Sequence, residues 1–524
     1  MDEVRTPSGV ARDKPALIAG DTGAVVTHGE LAERAERAAA WLLDLGLASG
    51  DGIAMLLENR SELLELALAA RQAGLYYTPI STHLTPPEVQ YILRDCGARM
   101  FFSSPTMLRH MGGAKPLQVP AGVACVLVGG TQPGWTDYTT TVAAVLPGPV
   151  HAAQMAERPL GRDLLYSSGT TGRPKGVQRD LAGRDPSLTA AEIANWRRSL
   201  SFDTDSIYLS PAPLYHAAPL RYTMRVIEIG ATAVVMPKFD AEQALALIAR
   251  HRVTHCQWVP TMFTRMLKLP LEVRQRHDLS SLRVAIHAAA PCPVPIKQAM
   301  MDWWGDVLHE YYGGSEGVGI TMISPQEWRA HPGSVGRAVG CGLHIVGDDG
   351  RELPPGEVGN VYFSGMPGAS YLNDPEKTRA LYNAQGWATY GDMGHVDADG
   401  YLYLSDRRAD LILSGGVNVY PQEIENVLAR HPAVEDVAVV GVPDDDFGEV
   451  PKAVVQLRPG QSADAAQAAA LLAFCTDTLA RAKLPRSVVF VDSIPKLETG
   501  KLLRRVLKER YRATPDAGFA LRPL

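Results

Sequence analysis

Tyr166-Ser167-Ser168-Gly169-Thr170-Thr171-Gly172-Arg173-Pro174-Lys175-Gly176 sets four Ser/Thr hydroxyls, three glycines and a lysine in eleven residues, just after the apolar Leu164-Leu165. Glycines let backbone N–H groups approach a polyanion, hydroxyls donate to phosphate oxygens, and Lys175 adds positive charge. The spacing is not G-x-x-x-x-G-K-[ST], so this is not the Walker arrangement. Taken alone, the composition suits a phosphate-holding loop and a flexible surface loop about equally. The surrounding chain has to decide.

Upstream, Thr27-His28-Gly29-Glu30 forms a capping box, and Leu31, Ala35, Ala38, Leu42 and Leu45 recur at helical spacing, with Gly46 placed to end the helix in a left-handed conformation. A strand is predicted at 53–57 and an apolar helix over 62–73. Helix–strand alternation continues at 88–93 and 100–103, then at 241–248 and 255–259. Such alternation predicts an α/β fold with mostly parallel sheets covered by helices. After about 340 the texture changes to short runs (344–346, 359–363, 401–404) separated by Gly, Pro and Asp turns, as in a small antiparallel subdomain. Asp406-Arg407-Arg408-Ala409-Asp410 has no apolar anchor and reads as a boundary. Beyond it a small α+β domain is expected, with helices at 421–429 and 465–479 and strands at 434–442, 450–457 and 488–491.

The bulk numbers agree with that plan. At 524 residues, 46% apolar and 21% charged, the chain is too long for one compact core. A formal charge of -6 argues against a general nucleic-acid binder. Six scattered cysteines (Cys96, Cys125, Cys256, Cys292, Cys341, Cys475) show neither C-x-x-C nor metal-ligand spacing, and are expected to be small buried hydrophobes in a reducing compartment. With no apolar signal core at the N-terminus and no run approaching the ~20 residues of a membrane span, a cytoplasmic protein is expected.

Further stretches follow in order. They are Ala289-Ala290-Pro291; Tyr312-Gly313-Gly314-Ser315-Glu316; Tyr390-Gly391-Asp392; Asp406-Arg407; Leu413-Ser414-Gly415-Gly416-Val417-Asn418-Val419-Tyr420-Pro421-Gln422-Glu423-Ile424-Glu425; and Pro495-Lys496-Leu497-Glu498-Thr499-Gly500-Lys501-Leu502-Leu503-Arg504-Arg505. With 166–176, this series resembles the ANL superfamily of adenylate-forming enzymes, in its acyl-CoA synthetase branch. The resemblance spans about 27–505.

The resemblance implies a large N-terminal domain of helix-covered, mostly parallel sheets with a small antiparallel β subdomain (1–406), a hinge at 407–409, and a small mobile α+β C-terminal domain (410–524). It implies ATP, Mg2+ and coenzyme A as the small molecules used. Ser167, Ser168, Gly169, Thr170, Thr171, Gly172 and Lys175 would hold the phosphates. Ala289, Ala290, Pro291, Tyr312 and Gly313 would border adenine, while Asp392 and Arg407 would take the ribose. Ser315 would meet phosphate, Glu316 and Thr170 the magnesium. Lys501 would be the adenylation lysine, Lys496 not, and Gly415-Gly416 would line the pantetheine channel. His216, in Pro213-Leu214-Tyr215-His216, would stand at the acyl pocket. Two positions depart from the pattern: the hinge residue is Ala409 rather than a charged one, and no gating tryptophan occurs between His216 and Arg225.

The acid is expected to lie among 215–222, 257–263, 287–291 and 313–317, where Leu220, Trp258 and Phe263 are apolar. Arg221, Arg225 and His287 are open to two readings, as contacts to a polar acid or as ion-paired residues. A fatty acid of medium to long chain is the first expectation, an aryl, cinnamate-like or alicyclic acid the second. A stand-alone adenylation enzyme loading a carrier protein differs by its failure with free coenzyme A, and a luciferase-like oxygenase is a further relative. A catalytically dead nucleotide-binding scaffold is disfavoured because Glu316, Asp392, Arg407 and Lys501 are all present. The expected partners are small molecules, with a second copy of the chain as a candidate; neither nucleic acid nor a transmembrane segment is expected.

Overall fold

The computed structural model describes residues 9–112, 116–167, 174–181, 194, 196–407, 410–414, 417–444, 447–476, 478–479, 483–496 and 502–520, with the backbone alone at 167, 406, 407, 417 and 418. Two compact units result. The first comprises 1–258, 268–286 and 368–379; the second comprises 259–267, 287–367 and 380–524. The 407–409 segment therefore falls within the sequence span of the second unit.

In the first unit, six parallel strands run in the order Thr136–Asp137, Ala124–Leu127, Ala98–Ser103, Gly52–Leu56, Tyr76–Pro79, Arg162–Asp163. Gly52–Leu56 is buried along its whole length, as a parallel strand covered on both faces must be. The His28–Asp44 and Ser61–Ala73 helices pack on one another. The first starts from the expected box: Thr27 Oγ1 accepts from Glu30 N at 3.2 Å, and Glu30 Oε2 accepts from Thr27 N at 2.9 Å. Gly46 follows it in the left-handed region, at φ +76°. A second parallel set holds Pro15–Ala19, Thr232–Val235, Ile207–Ser210 and His255–Trp258, with Val25–Thr27 antiparallel at one edge. A small antiparallel sheet joins Leu165–Ser167, Lys175–Gln178 and Ser370–Tyr371.

The second unit contains the antiparallel ladder Leu308–Gly313, Ile320–Ile323, Arg337–Ala338, and a four-stranded antiparallel sheet of Gly342–Val346, Gly359–Ser364, Asp392–Val396 and Leu402–Arg407. Its C-terminal part is a mixed sheet built on the long pair Val434–Asp444 and Gly448–Leu457. Along the first of these, Val437 and Val439 join one apolar cluster with Ile424 and Leu471, while Ala438 and Val440 join another with Leu507 and Tyr511. That is the period of two expected of a strand buried on both faces.

The expected architecture is present, with corrections of detail. The Arg504–Ala513 helix and the Phe519–Ala520 strand were not foreseen. Of the six cysteines, all free, Cys256 and Cys475 are buried, whereas the other four are half-buried. Among the described residues, no helix is long and apolar enough to cross a membrane.

Candidate functional site

Antiparallel pairing of Leu308–Gly313 with Ile320–Ile323 leaves 314–319 as the connecting turn, and this turn carries Ser315 and Glu316. Close packing forces its glycines. A Cβ on Gly314 would lie 2.5 Å from the Tyr390 ring and 2.8 Å from Glu316 Oε2; one on Gly319 would lie 2.0 Å from the Phe363 ring. Tyr390 holds the turn from beneath, its hydroxyl donating to Gly319 O at 2.7 Å and accepting from Gly319 N at 3.2 Å. Burial raises the Tyr390 pKa, and the Glu316 charge nearby adds to the rise.

Two residues of the adenosine set meet directly. Tyr312 Oη donates to Asp392 Oδ2 at 2.6 Å. Asp392 opens its strand and lies opposite Arg407 in the antiparallel register. Tyr312, Gly313, Ser315, Glu316, Asp392 and the Arg407 backbone thus converge within one compact unit from stretches nearly a hundred residues apart. Glu316 is half-buried and offers hard carboxylate oxygen where Gly314 leaves room, which suits a divalent cation such as magnesium.

In the same unit, Ala289, Ala290 and Pro291 form the loop before the Val294–Trp304 helix. Ala289 has φ +75°, a left-handed conformation that a side chain disfavours. Strain of this kind gathers at ligand-contacting loops. Immediately before the loop, His287 is fully buried with its Nε2 3.5 Å from Glu310 Oε2, and Lys297 Nζ donates to the same oxygen at 2.6 Å. Burial and the Lys297 charge push the His287 pKa well down, keeping the imidazole neutral. Burial raises the Glu310 pKa, and Lys297 opposes that rise.

In the first unit, the described ends of the glycine- and hydroxyl-rich stretch lie on two antiparallel strands, Leu165–Ser167 and Lys175–Gln178. Lys175 pairs with Ser167, and Lys175 Nζ stands 5.2 Å from the centre of the Tyr371 ring. Ser168, Gly169, Thr170, Thr171 and Gly172 lie outside the described residues, as do Ala409, Gly415, Gly416 and Lys501. His216 is the N-cap of the Ala217–Glu228 helix, its ring 4.5 Å from that of Tyr215. Arg221 is bonded to the buried Asp163 at 2.7 Å, and Arg225 pairs with Glu228 at 3.3 Å. The ion-paired reading of both arginines is therefore the observed one.

At the chain's other end, Lys496 is paired with Asp436 at 2.7 Å. Arg504, three residues past Lys501, is anchored on Glu425 at 2.6 Å and Asp410 at 3.4 Å. Sequence reasoning missed the bracing by Tyr390 and the Lys297–Glu310 pair. For Tyr390, the signal available was an aromatic residue directly before Gly391-Asp392.

Comparison with known proteins shows the family. The model of the AMP-binding enzyme family matches residues 5–370, and that of its C-terminal domain matches 423–501. The chain is 35% identical over 511 residues to 3-[(3aS,4S,7aS)-7a-methyl-1,5-dioxo-octahydro-1H-inden-4-yl]propanoyl:CoA ligase of Mycobacterium tuberculosis, covering 95% of this chain and 96% of that protein. It is 32% identical over 505 residues to the long-chain-fatty-acid–CoA ligase FadD13 of the same species, covering 95% and 96%. ATP-bound MatB from Rhodopseudomonas palustris superposes with a TM-score of 0.81 at 30% identity, covering 96% of each chain. The chain belongs to the AMP-binding enzyme family, as an acyl-CoA synthetase of the ANL superfamily: an acid–thiol ligase that uses ATP and coenzyme A.

Proposed function

We propose that Tyr312, the 314–319 turn, Asp392 and Arg407 hold the adenosine and α-phosphate of ATP while the carboxylate of a compact, ring-bearing acid attacks phosphorus. The observation that carries this reading is the convergence of those residues, joined by the Tyr312–Asp392 hydrogen bond. A carboxylate is a poor electrophile with no adequate leaving group. Attack of its oxygen on the α-phosphorus forms an O–P bond and breaks the bond to pyrophosphate, leaving an acyl-adenylate. The sulfur of coenzyme A then attacks the acyl carbonyl, its thiol proton is lost, and AMP departs.

Two anions meet in the first step, so positive charge has to be fixed at the phosphates beforehand. Lys501 and Lys175 supply part of it in this reading. Magnesium held by Glu316 and Thr170 would supply the rest by drawing charge from the phosphate oxygens. Asp392 accepts from Tyr312, and as a carboxylate it can also accept from both ribose hydroxyls. Rotation about 407–409, a hinge movement absorbed by a few residues, would exchange the Lys501 side of the C-terminal domain for the Gly415-Gly416 side between steps.

A ring-bearing acid is preferred to the medium- or long-chain fatty acid of the first expectation because the ligase named above for an alicyclic propanoate shares 35% identity with this chain, against 32% for FadD13. AMP release dependent on coenzyme A, measured over a fatty-acid length series beside aryl and alicyclic acids, tests it. Highest kcat/KM on a C12–C18 acid would restore the fatty-acid reading.

The lysine role has its own test. Lys501→Ala should cut acyl-adenylate formation about a hundredfold to a thousandfold, while leaving thioester formation from supplied adenylate near wild type. Equal loss in both half-reactions would remove Lys501 from the first step.

A further inference from the structure

We propose that the buried Lys297–Glu310 pair, with His287 wedged against it, is a positioning device that sets the two stretches 288–291 and 312–313 at the spacing the nucleotide needs. This rests on the adenosine-site reading above. Lys297 belongs to the first turn of the Val294–Trp304 helix, and Glu310 lies two residues before Tyr312 on its strand. His287 is the residue before the 288–291 loop. One carboxylate oxygen, Glu310 Oε2, is 2.6 Å from Lys297 Nζ and 3.5 Å from His287 Nε2. The Lys297–Glu310 bond therefore ties the helix that ends the loop to the strand that carries Tyr312, with the His287 ring at the loop's start packed beside it.

Stability does not explain this arrangement. Two apolar side chains of similar volume commonly serve as well as a buried ion pair, or better. The ammonium also sits at a helix N-terminus, where the peptide dipoles disfavour positive charge. Among the described residues, neither nitrogen of His287 has a hydrogen-bond partner. What a charged hydrogen bond provides and apolar contact does not is direction: 2.6 Å along a defined line fixes helix against strand, whereas methyl groups slide. Lys297 has no exposure, is roofed by the Trp328 ring at 4.9 Å, and cannot touch substrate. It is a positioning residue, not a catalytic one. Between His287 and the helix lies Ala289 in its left-handed conformation, so the loop is pinned at both ends while strained in the middle.

The test compares Lys297→Met/Glu310→Leu, which replaces the pair by apolar groups, with Glu310→Gln, which keeps the shape. Each is made in the full chain and assayed by thermal unfolding, ATP titration calorimetry and ATP–pyrophosphate exchange. The double variant is expected to melt at or above the wild-type temperature. Its Kd and KM for ATP should nevertheless rise by roughly tenfold to a hundredfold, with kcat at saturating ATP changed by less than about twofold. Glu310→Gln should raise both ATP constants in the same direction. Wild-type ATP affinity in a folded double variant would overturn the proposal. So would failure of both variants to fold, which would make the pair a requirement of folding alone. A wild-type chain that binds no ATP would instead refute the adenosine-site reading, and the calorimetry separates that result from the others.

Discussion

Lys297 and Lys452 are both shut off from solvent in the second compact unit, each donates a 2.6 Å hydrogen bond, and each lies near an aromatic ring. They are held by opposite means. Lys297 meets a carboxylate, Glu310; Lys452 meets only a backbone carbonyl, that of Ala517, in the C-terminal sheet. Burial pulls the Lys452 pKa down to about 8, and the more distant Asp516 only partly offsets it. Around Glu310, charge is balanced locally and removing one partner strands the other. In the C-terminal sheet, the ammonium can shed its proton and leave nothing stranded. Equal burial therefore does not mean equal dependence on charge.

The largest expected effect breaks or keeps that contrast directly. Lys297→Met alone should cost about 3–5 kcal/mol of unfolding free energy, because Glu310 is left buried without its partner. Lys452→Met should cost about 1 kcal/mol or less: it leaves the Ala517 carbonyl short of one donor, but also removes a buried charge. Urea unfolding of both variants in the full chain measures the difference. Similar losses would show that the carboxylate is not what distinguishes the two sites.

A smaller effect sharpens the contrast through pH. The folded pKa of Lys452 lies below the usual lysine value of 10.5. Between about 8 and 10.5 the unfolded chain therefore binds more protons at this residue than the folded chain does. Stability must then rise with pH across that window, by at most about 1.4 kcal/mol per pH unit from this one group. Below about 8 both states are protonated and the full penalty is present. The difference between wild type and Lys452→Met in urea midpoint should shift steadily in favour of wild type from pH 8 to 10.5. A pH-independent difference would mean that Lys452 titrates normally.

Neither lysine announced its role in the sequence, and the reason is physical. Local rules were legible: the Thr27–Glu30 box, the apolar runs of the parallel strands and the hydroxyl–glycine stretch at 166–176 each act within a few residues. Lys297 and Glu310 are thirteen residues apart on different elements, with no periodicity to link them. Their pairing is a product of tertiary packing. The Arg504–Ala513 helix was illegible for another reason: most of its residues are charged, and its two buried residues, Leu507 and Tyr511, are too few to mark a helical period on their own. Gly314 and Gly319 were visible as residues of a motif, but the need for them was not. That need comes from the rings of Tyr390 and Phe363, which lie far from the turn in sequence, one before the Asp392–Val396 strand and one in Gly359–Ser364.

The smallest effect asks whether the nucleotide region holds strain as well as charge. Ala289 at φ +75° should carry about 1–2 kcal/mol that glycine would not, since its Cβ crowds the backbone in the left-handed region. Glycine also gives the unfolded chain more freedom, which returns about 0.4–1 kcal/mol of the gain. Ala289→Gly should therefore stabilise the fold by about 1 kcal/mol or less. If the strained loop is part of how adenine is met, the same change should raise the KM for ATP while the chain becomes more stable. Stability and affinity moving in opposite directions is the signature of a conformation held for binding. An Ala289→Gly variant that is more stable and binds ATP equally well would show the strain to be a by-product of the turn, and would leave the Lys297–Glu310 pair as the feature to which any positioning must be traced.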